Sequence, residues 1–323
     1  MVIADEKPQM WVSHRLSPQS SALTEKNDRE NTGCSGKGKK MKTGKLILTI
    51  VVSVVFLVLA SLLSQHLLMG LLVWAGVPAW LCQIAGGLLY TVLTYLMVRL
   101  YCTRYLHEEL EAFCIPKCRI QLKWTVAAVV LPVLVSAVYL LLPGNFVKNA
   151  LDRETKLACV TRGVFIVGLG AGIVEELLFR GLMMNAVIKK WGKTAGVLAP
   201  SVLFASLHII GMDFSLLSCL QVMAAGTMVG VMLSLIALEG RSVWNSAVVH
   251  GVWNMIIIGG GLTIGTEVNE YSISSYVLET QNFVLTGGEF GIESSVVAII
   301  GYIAVSLAAA WMMRRGRDQR PLT

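Results

Sequence analysis

Two adjacent glutamates and an arginine, Glu175, Glu176 and Arg180, stand inside an otherwise apolar stretch, Gly172-Ile-Val-Glu-Glu-Leu-Leu-Phe-Arg-Gly181. An ionisable group deep in a membrane span costs at least about 2.5–3.5 kcal/mol, so three of them in one run mark a functional candidate. Helical geometry separates the two acids. Glu176 and Arg180 are four apart and share a face, which lets them form an ion pair that fixes architecture. Glu175 is five residues from Arg180 and turned about 100° from Glu176, free to face a different cavity. Glu175 is therefore assigned to chemistry.

Two later apolar runs supply complementary groups. Phe204-Ala-Ser-Leu-His208 places an aromatic ring and an imidazole on one face, and His250-Gly-Val-Trp-Asn254 does the same for an imidazole and an amide. His14, His66 and His107 lie in the N-terminal tail, near a span end and in a loop, and carry no assignment. A carboxylate and a histidine can hold and deprotonate a water. A second histidine and an Asn amide can donate hydrogen bonds to a developing oxyanion. These are the parts of an amide hydrolase that needs no covalent nucleophile. Glu175, His208 and His250 could instead hold zinc with an open water position. No His-Glu-x-x-His helix is present, and every zinc ligand would come from a separate helix.

Groups on three separate runs must be positioned by a bundle, and the composition describes one. Hydrophobic residues make up 55% of the 323 and charged residues 15%, against about 25% charged in soluble domains. Residues 1–45 hold 14 of the 47 charged side chains. That distribution excludes a soluble globular enzyme, a disordered chain and a nucleic-acid binder. Eight stretches approach the ~20 apolar residues that a bilayer core requires: 46–74, 79–100, 124–142, 163–188, 195–212, 216–238, 243–262 and 291–313. The expected fold is an all-α polytopic membrane bundle over 46–313, with a disordered basic tail at 1–45 and a second basic tail at 314–323. The first stretch is too long for the apolar core of a signal peptide and lacks a convincing small-residue cleavage site, so it is expected to remain as a first span. It contains Ser64, Gln65 and His66, where the span is expected to give way to an interfacial segment. Met41 offers an alternative start.

An even number of spans puts both tails on one side. Arg104, Lys117, Arg119, Lys123, Lys189, Lys190, Lys193 and Arg241 fall on that side, while loop 263–290 has no Lys or Arg and four Glu. Both termini are therefore expected in the cytosol. Loop 143–162, with Lys148, Arg153, Lys156 and Arg162, goes against the trend. Glycines 168, 170 and 172 read as close helix packing rather than a nucleotide loop. The seven cysteines are expected to be inert or membrane-facing thiols, without a disulfide framework or a structural zinc at Cys114 and Cys118.

The spacings Glu-Glu-x-x-x-Arg at 175–180, Phe-x-x-x-His at 204–208 and His-x-x-x-Asn at 250–254, in this order, resemble the three motifs of the CAAX protease and bacteriocin-processing intramembrane protease family. The resemblance covers about residues 160–262 and implies a protease core there, inside an all-helical membrane fold. It implies that Glu175 and His208 activate water while His250 and Asn254 form the oxyanion site. Members have been called metalloproteases; the reading adopted here is glutamate-dependent, with no cofactor. The implied partners are a membrane-associated peptide or protein substrate, prenylated or not, and the lipid bilayer, with oligomeric state left open. The short loops and basic tails suggest a bacterial plasma membrane. The competing classes are a transporter or proton relay, and a non-catalytic membrane scaffold that retains the motif.

Overall fold

The computed structural model describes residues 40–213 and 215–318. Residues 1–39 of the expected N-terminal tail and 319–323 of the C-terminal one lie outside the described residues. Eight main helices run through the described residues: α1 (Thr43–Trp74), α2 (Ala79–Leu106), α3 (Leu122–Leu140), α4 (Arg153–Trp191), α5 (Lys193–Leu207), α6 (Leu216–Gly240), α7 (Val243–Ile257) and α8 (Val296–Asp318). Each coincides with one expected stretch. Six of them, all but α5 and α7, are long and apolar enough to cross a membrane by length and composition. α5 and α7 have 15 residues each, about 22 Å of helix against a hydrocarbon core of ~30 Å. α7 carries His250 and Asn254, and His208 is the residue that ends α5 as its C-cap.

The first helix does not stop at its polar residues. It passes through Ser64, Gln65 and His66 in a wide i→i+5 turn over Leu62–Leu68 and ends at Trp74. Its pattern is inverted relative to a soluble helix. Ile47, Val51, Val55 and Val58 point outward, while Thr49, Ser53 and Ala60 are buried. The inward hydroxyls fall back on their own helix, Ser53 Oγ donating to Thr49 O at 2.7 Å and Ser64 Oγ to Ala60 O at 2.6 Å. Small residues inside and branched ones outside are what packing in lipid selects.

Helix ends sort into two groups. At one end, Lys189 pairs with Glu108, Val243 N donates to Cys114 O at 2.8 Å, and Trp244 Nε1 donates to Pro116 O at 2.7 Å. At the other, three short strands pair in the order β1-β3-β2: β1 (Gly144–Lys148) antiparallel to β3 (Ser274–Leu278), and β2 (Leu262–Gly265) parallel to it. This small sheet is built from the loops, and the bundle itself is all-α. It ties the loop after α3 to the loop after α7, two loops expected on one side. Five cysteines, Cys82, Cys102, Cys118, Cys159 and Cys219, are free thiols. Cys114 is disulfide-bonded, which corrects the expectation that every cysteine is a thiol.

Candidate active site

Backbone contact between α4 and α7 sets the site. A Cβ on Gly172 would sit 2.7 Å from the Cα of Gly251, and one on Gly163 would sit 2.2 Å from Gly259 O. The glycine stripe of α4 is thus a packing surface. Around the glutamates α4 widens, with i→i+5 turns over Arg162–Ala171 and Glu176–Met183 on either side of the short α-helical Gly172–Glu175. Such wide turns recur at functional sites because they shift side-chain direction along a helix. α5 is held by the same device: a Cβ on Gly226 would meet Ala205 Cβ at 2.8 Å, and one on Gly230 would meet Ser201 Cβ at 2.7 Å.

With the backbones that close, the polar side chains meet. Arg180 Nη1 donates to Glu176 Oε1 at 2.7 Å, and both side chains are shut off from solvent. A second guanidinium nitrogen of Arg180, Nη2, donates to Gly230 O at 3.4 Å. The guanidinium carbon lies 4.7 Å from the centre of the Phe204 ring, a cation–π contact that stabilises the charge out of water. Glu176 has a further partner that the i,i+4 spacing does not reveal. Its Oε1 accepts from His250 Nδ1 at 3.1 Å. His250 Nε2 lies 3.7 Å from Glu175 Oε2, so the imidazole stands between the two adjacent acids.

The hydrogen-bond partners fix the tautomers. A carboxylate only accepts, so the Nδ1 of His250 carries hydrogen, and its Nε2 faces Glu175. His208 Nδ1 lies 2.7 Å from Phe204 O; a carbonyl only accepts, so this nitrogen also carries hydrogen and Nε2 is the remaining basic site of the neutral ring. Asn254 spends one amide hydrogen on Val167 O at 3.0 Å and keeps the other. Phe204 separates the imidazoles, its centroid 4.5 Å from that of His208 and 6.0 Å from that of His250.

Glu175, His208, His250 and Asn254 line one cavity of ≈ 380 Å³, while Glu176 and Arg180 stand behind its wall. Among the described residues, no group of three or more His, Cys, Asp or Glu is placed to hold a metal ion. The alternative zinc set would be Glu175, His208 and His250, which line this cavity together. Cavity residues to which the sequence reading assigned no role in the site include Gln65, Tyr90, Phe290, Glu293 and Tyr302. Glu293 had a visible signal, an ionisable group inside the last apolar stretch at 291–313.

Residues 158–256 match the family described as Type II CAAX prenyl endopeptidase Rce1-like. The matched segment is under a third of the chain and contains all three motif spacings. No curated protein and no solved structure matches the chain. At the level of the family the match is to CAAX-type intramembrane proteases, which are hydrolases. Together with the six long apolar helices, it makes the chain an integral membrane protein.

Proposed function

We propose that the chain is an intramembrane endopeptidase that hydrolyses a peptide bond of a membrane-associated protein or peptide within this cavity, water being the nucleophile. Glu175 and the Nε2 of His208 hold the water, and Glu175 takes its proton as the oxygen attacks the carbonyl carbon. Asn254 donates its second amide hydrogen to the oxyanion that forms. His250 joins it when doubly protonated, through Nε2–H. Glu176 is more than half of an ion pair in this scheme. By accepting from Nδ1 it fixes the rotation of the His250 ring, and Arg180 in turn holds Glu176. The reading rests above all on the placement of His250, hydrogen-bonded to Glu176 on one nitrogen and facing Glu175 in the shared cavity with the other.

The family match makes CAAX-type protein C-termini the first substrate class to examine, with bacteriocin-like and signal peptides next. Detergent-solubilised protein is incubated with a peptide library holding prenylated and unprenylated CAAX sequences, and products are read by mass spectrometry. The wild type is expected to release defined fragments. Glu175→Gln is expected to lose about a hundredfold or more in turnover while eluting and unfolding like the wild type. Cleavage by Glu175→Gln at the wild-type rate overturns the reading.

A further inference from the structure

A second carboxyl reaches the cavity from a different part of the chain. Glu293 lies in the single turn Ile292–Ser294 that leads into α8, between the buried Ile292 and the buried Ser294 and Ser295. The turn is fastened on several sides. Gln221 Nε2 of α6 donates to Ser294 O at 3.1 Å, Ser294 Oγ donates to Gly287 O at 2.7 Å, and Tyr302 Oη of α8 donates to the Glu293 carbonyl at 3.0 Å. The Glu293 side chain lines the same cavity as Glu175, His208 and His250. Among the described residues, no ion pair involves its carboxyl oxygens. The titratable and charged groups that share the cavity with it are Arg162 and Glu175 of α4, Tyr90 of α2, His208 at the C-terminal end of α5, His250 of α7 and Tyr302 of α8. Glu293 itself is part-buried, less exposed than an open surface residue; the protein packed around its carboxyl pushes it up to about 7, with His250 drawing it down and Glu175 pushing it further up.

Building on the peptidase reading, we propose that Glu293 is a further catalytic residue, the acid that gives a proton to the nitrogen leaving the scissile amide. Two carboxyls in one cavity then divide the work of base and acid. As the water oxygen bonds to the carbonyl carbon, one water proton passes to Glu175 and the carbonyl becomes an oxyanion. The C–N bond then breaks, and its electron pair takes the Glu293 proton. The products at that point are a carboxylic acid and a neutral amine. The acid gives its proton to the Glu293 carboxylate, and Glu175 gives its own to the amine. Both residues thereby return to their starting states, and the substrate leaves as carboxylate and ammonium.

Glu293→Gln keeps the size and hydrogen-bonding capacity of the protonated acid but has no proton to transfer. It is expected to lower kcat about a hundredfold with KM unchanged, and Glu293→Asp to recover part of the loss. The working form of Glu293 is the protonated one, so the wild-type rate is expected to fall as pH rises through about 7; that decline is missing from the residual activity of Glu293→Gln. A Gln variant with wild-type kcat and an unchanged high-pH decline overturns the proposal. A readout without turnover stands beside this one. The infrared band of a protonated carboxyl is expected in the wild type, fading near pH 7 and missing from Glu293→Gln, and a wild type without such a band also overturns the proposal. If wild type and Glu175→Gln cleave equally, or neither cleaves any peptide, the peptidase reading falls and takes the acid role with it. If Glu175→Gln is dead and Glu293→Gln is untouched, only the role of Glu293 falls.

Discussion

Glu176 and Arg180 form the contact most readily read from the sequence, because four residues of helix decide it without reference to any other element. What the spacing could not disclose is that Glu176 also receives His250 Nδ1. That bond joins residues 74 apart in sequence and depends on how closely two helices approach. It makes Arg180 a residue with two effects. Arg180→Ala leaves a fully buried carboxylate without its guanidinium partner, and breaking a buried pair by removing one member costs about 3–5 kcal/mol. The folded yield of Arg180→Ala after size-exclusion chromatography is expected to fall sharply, with Arg180→Lys intermediate because a point charge replaces a fork of donors. Normal yield and normal melting of Arg180→Ala would show that Glu176 is not held by this contact. The donors of the zinc alternative give a second expectation. On the proposed mechanism, in which Glu175 and His208 activate water without a metal, activity is expected to survive chelation and to be full in protein shown by elemental analysis to be zinc-free. Loss on chelation that zinc restores would reverse this.

At the level of helices, eight apolar stretches were legible because charge, glycine and proline interrupt most of the apolar runs. Two of those segments were placed too long. The stretch expected at 195–212 stops at Leu207, and the one expected at 243–262 stops at Ile257 before Gly259, Gly260 and Gly261 lead into β2. Hydropathy continues across both boundaries, and it does not report backbone turns, so the short lengths of α5 and α7 were hidden. The packing use of the α4 glycines was legible from their spacing, but their partners were not. Those partners make a graded test. A Cβ on Gly172 meets the Gly251 backbone at 2.7 Å, one on Gly168 meets the Met255 side chain at 2.3 Å and Gly163 O of its own helix at 2.9 Å, and one on Gly70 meets nothing within 4 Å. A flexible methionine can move aside where a helix backbone cannot. Gly172→Ala is therefore expected to lose about 1–3 kcal/mol of stability, the usual cost of overpacking, and more activity than that loss explains, because the shift carries His250 away from Glu175 and Glu176. Gly168→Ala should fall between it and Gly70→Ala, which should melt and turn over like the wild type. Equal behaviour of all three in thermal unfolding and turnover would mean that helix approach does not set the site.

Across the whole molecule, alternation of the helices was the strongest check available to the sequence, and the contacts follow it. Lys189 with Glu108 and Trp244 with Pro116 gather at one end; β1 with β3, and Ser215 N with Glu289 Oε2 at 2.9 Å, gather at the other. The loop that broke the charge trend, 143–162, lies with the glutamate-rich loop through β1 and β3. Its Lys148, Arg153, Lys156 and Arg162 are therefore basic residues at the same end as the glutamate-rich loop. The positive-inside rule weighs the short loops together, and the opposite end carries Lys117, Arg119, Lys123, Lys189, Lys190, Lys193 and Arg241. That end is expected to face the cytosol, with the sheet on the far side of the membrane. Two exposed positions test it, Cys118 at the basic end and Glu270 in the acidic loop. In intact cells a membrane-impermeant maleimide should label Glu270→Cys above the wild-type background. Permeabilisation should add a further signal that Cys118→Ala removes. The reverse order of labelling would turn the molecule over, and with it the side from which a substrate C-terminus must approach Glu175.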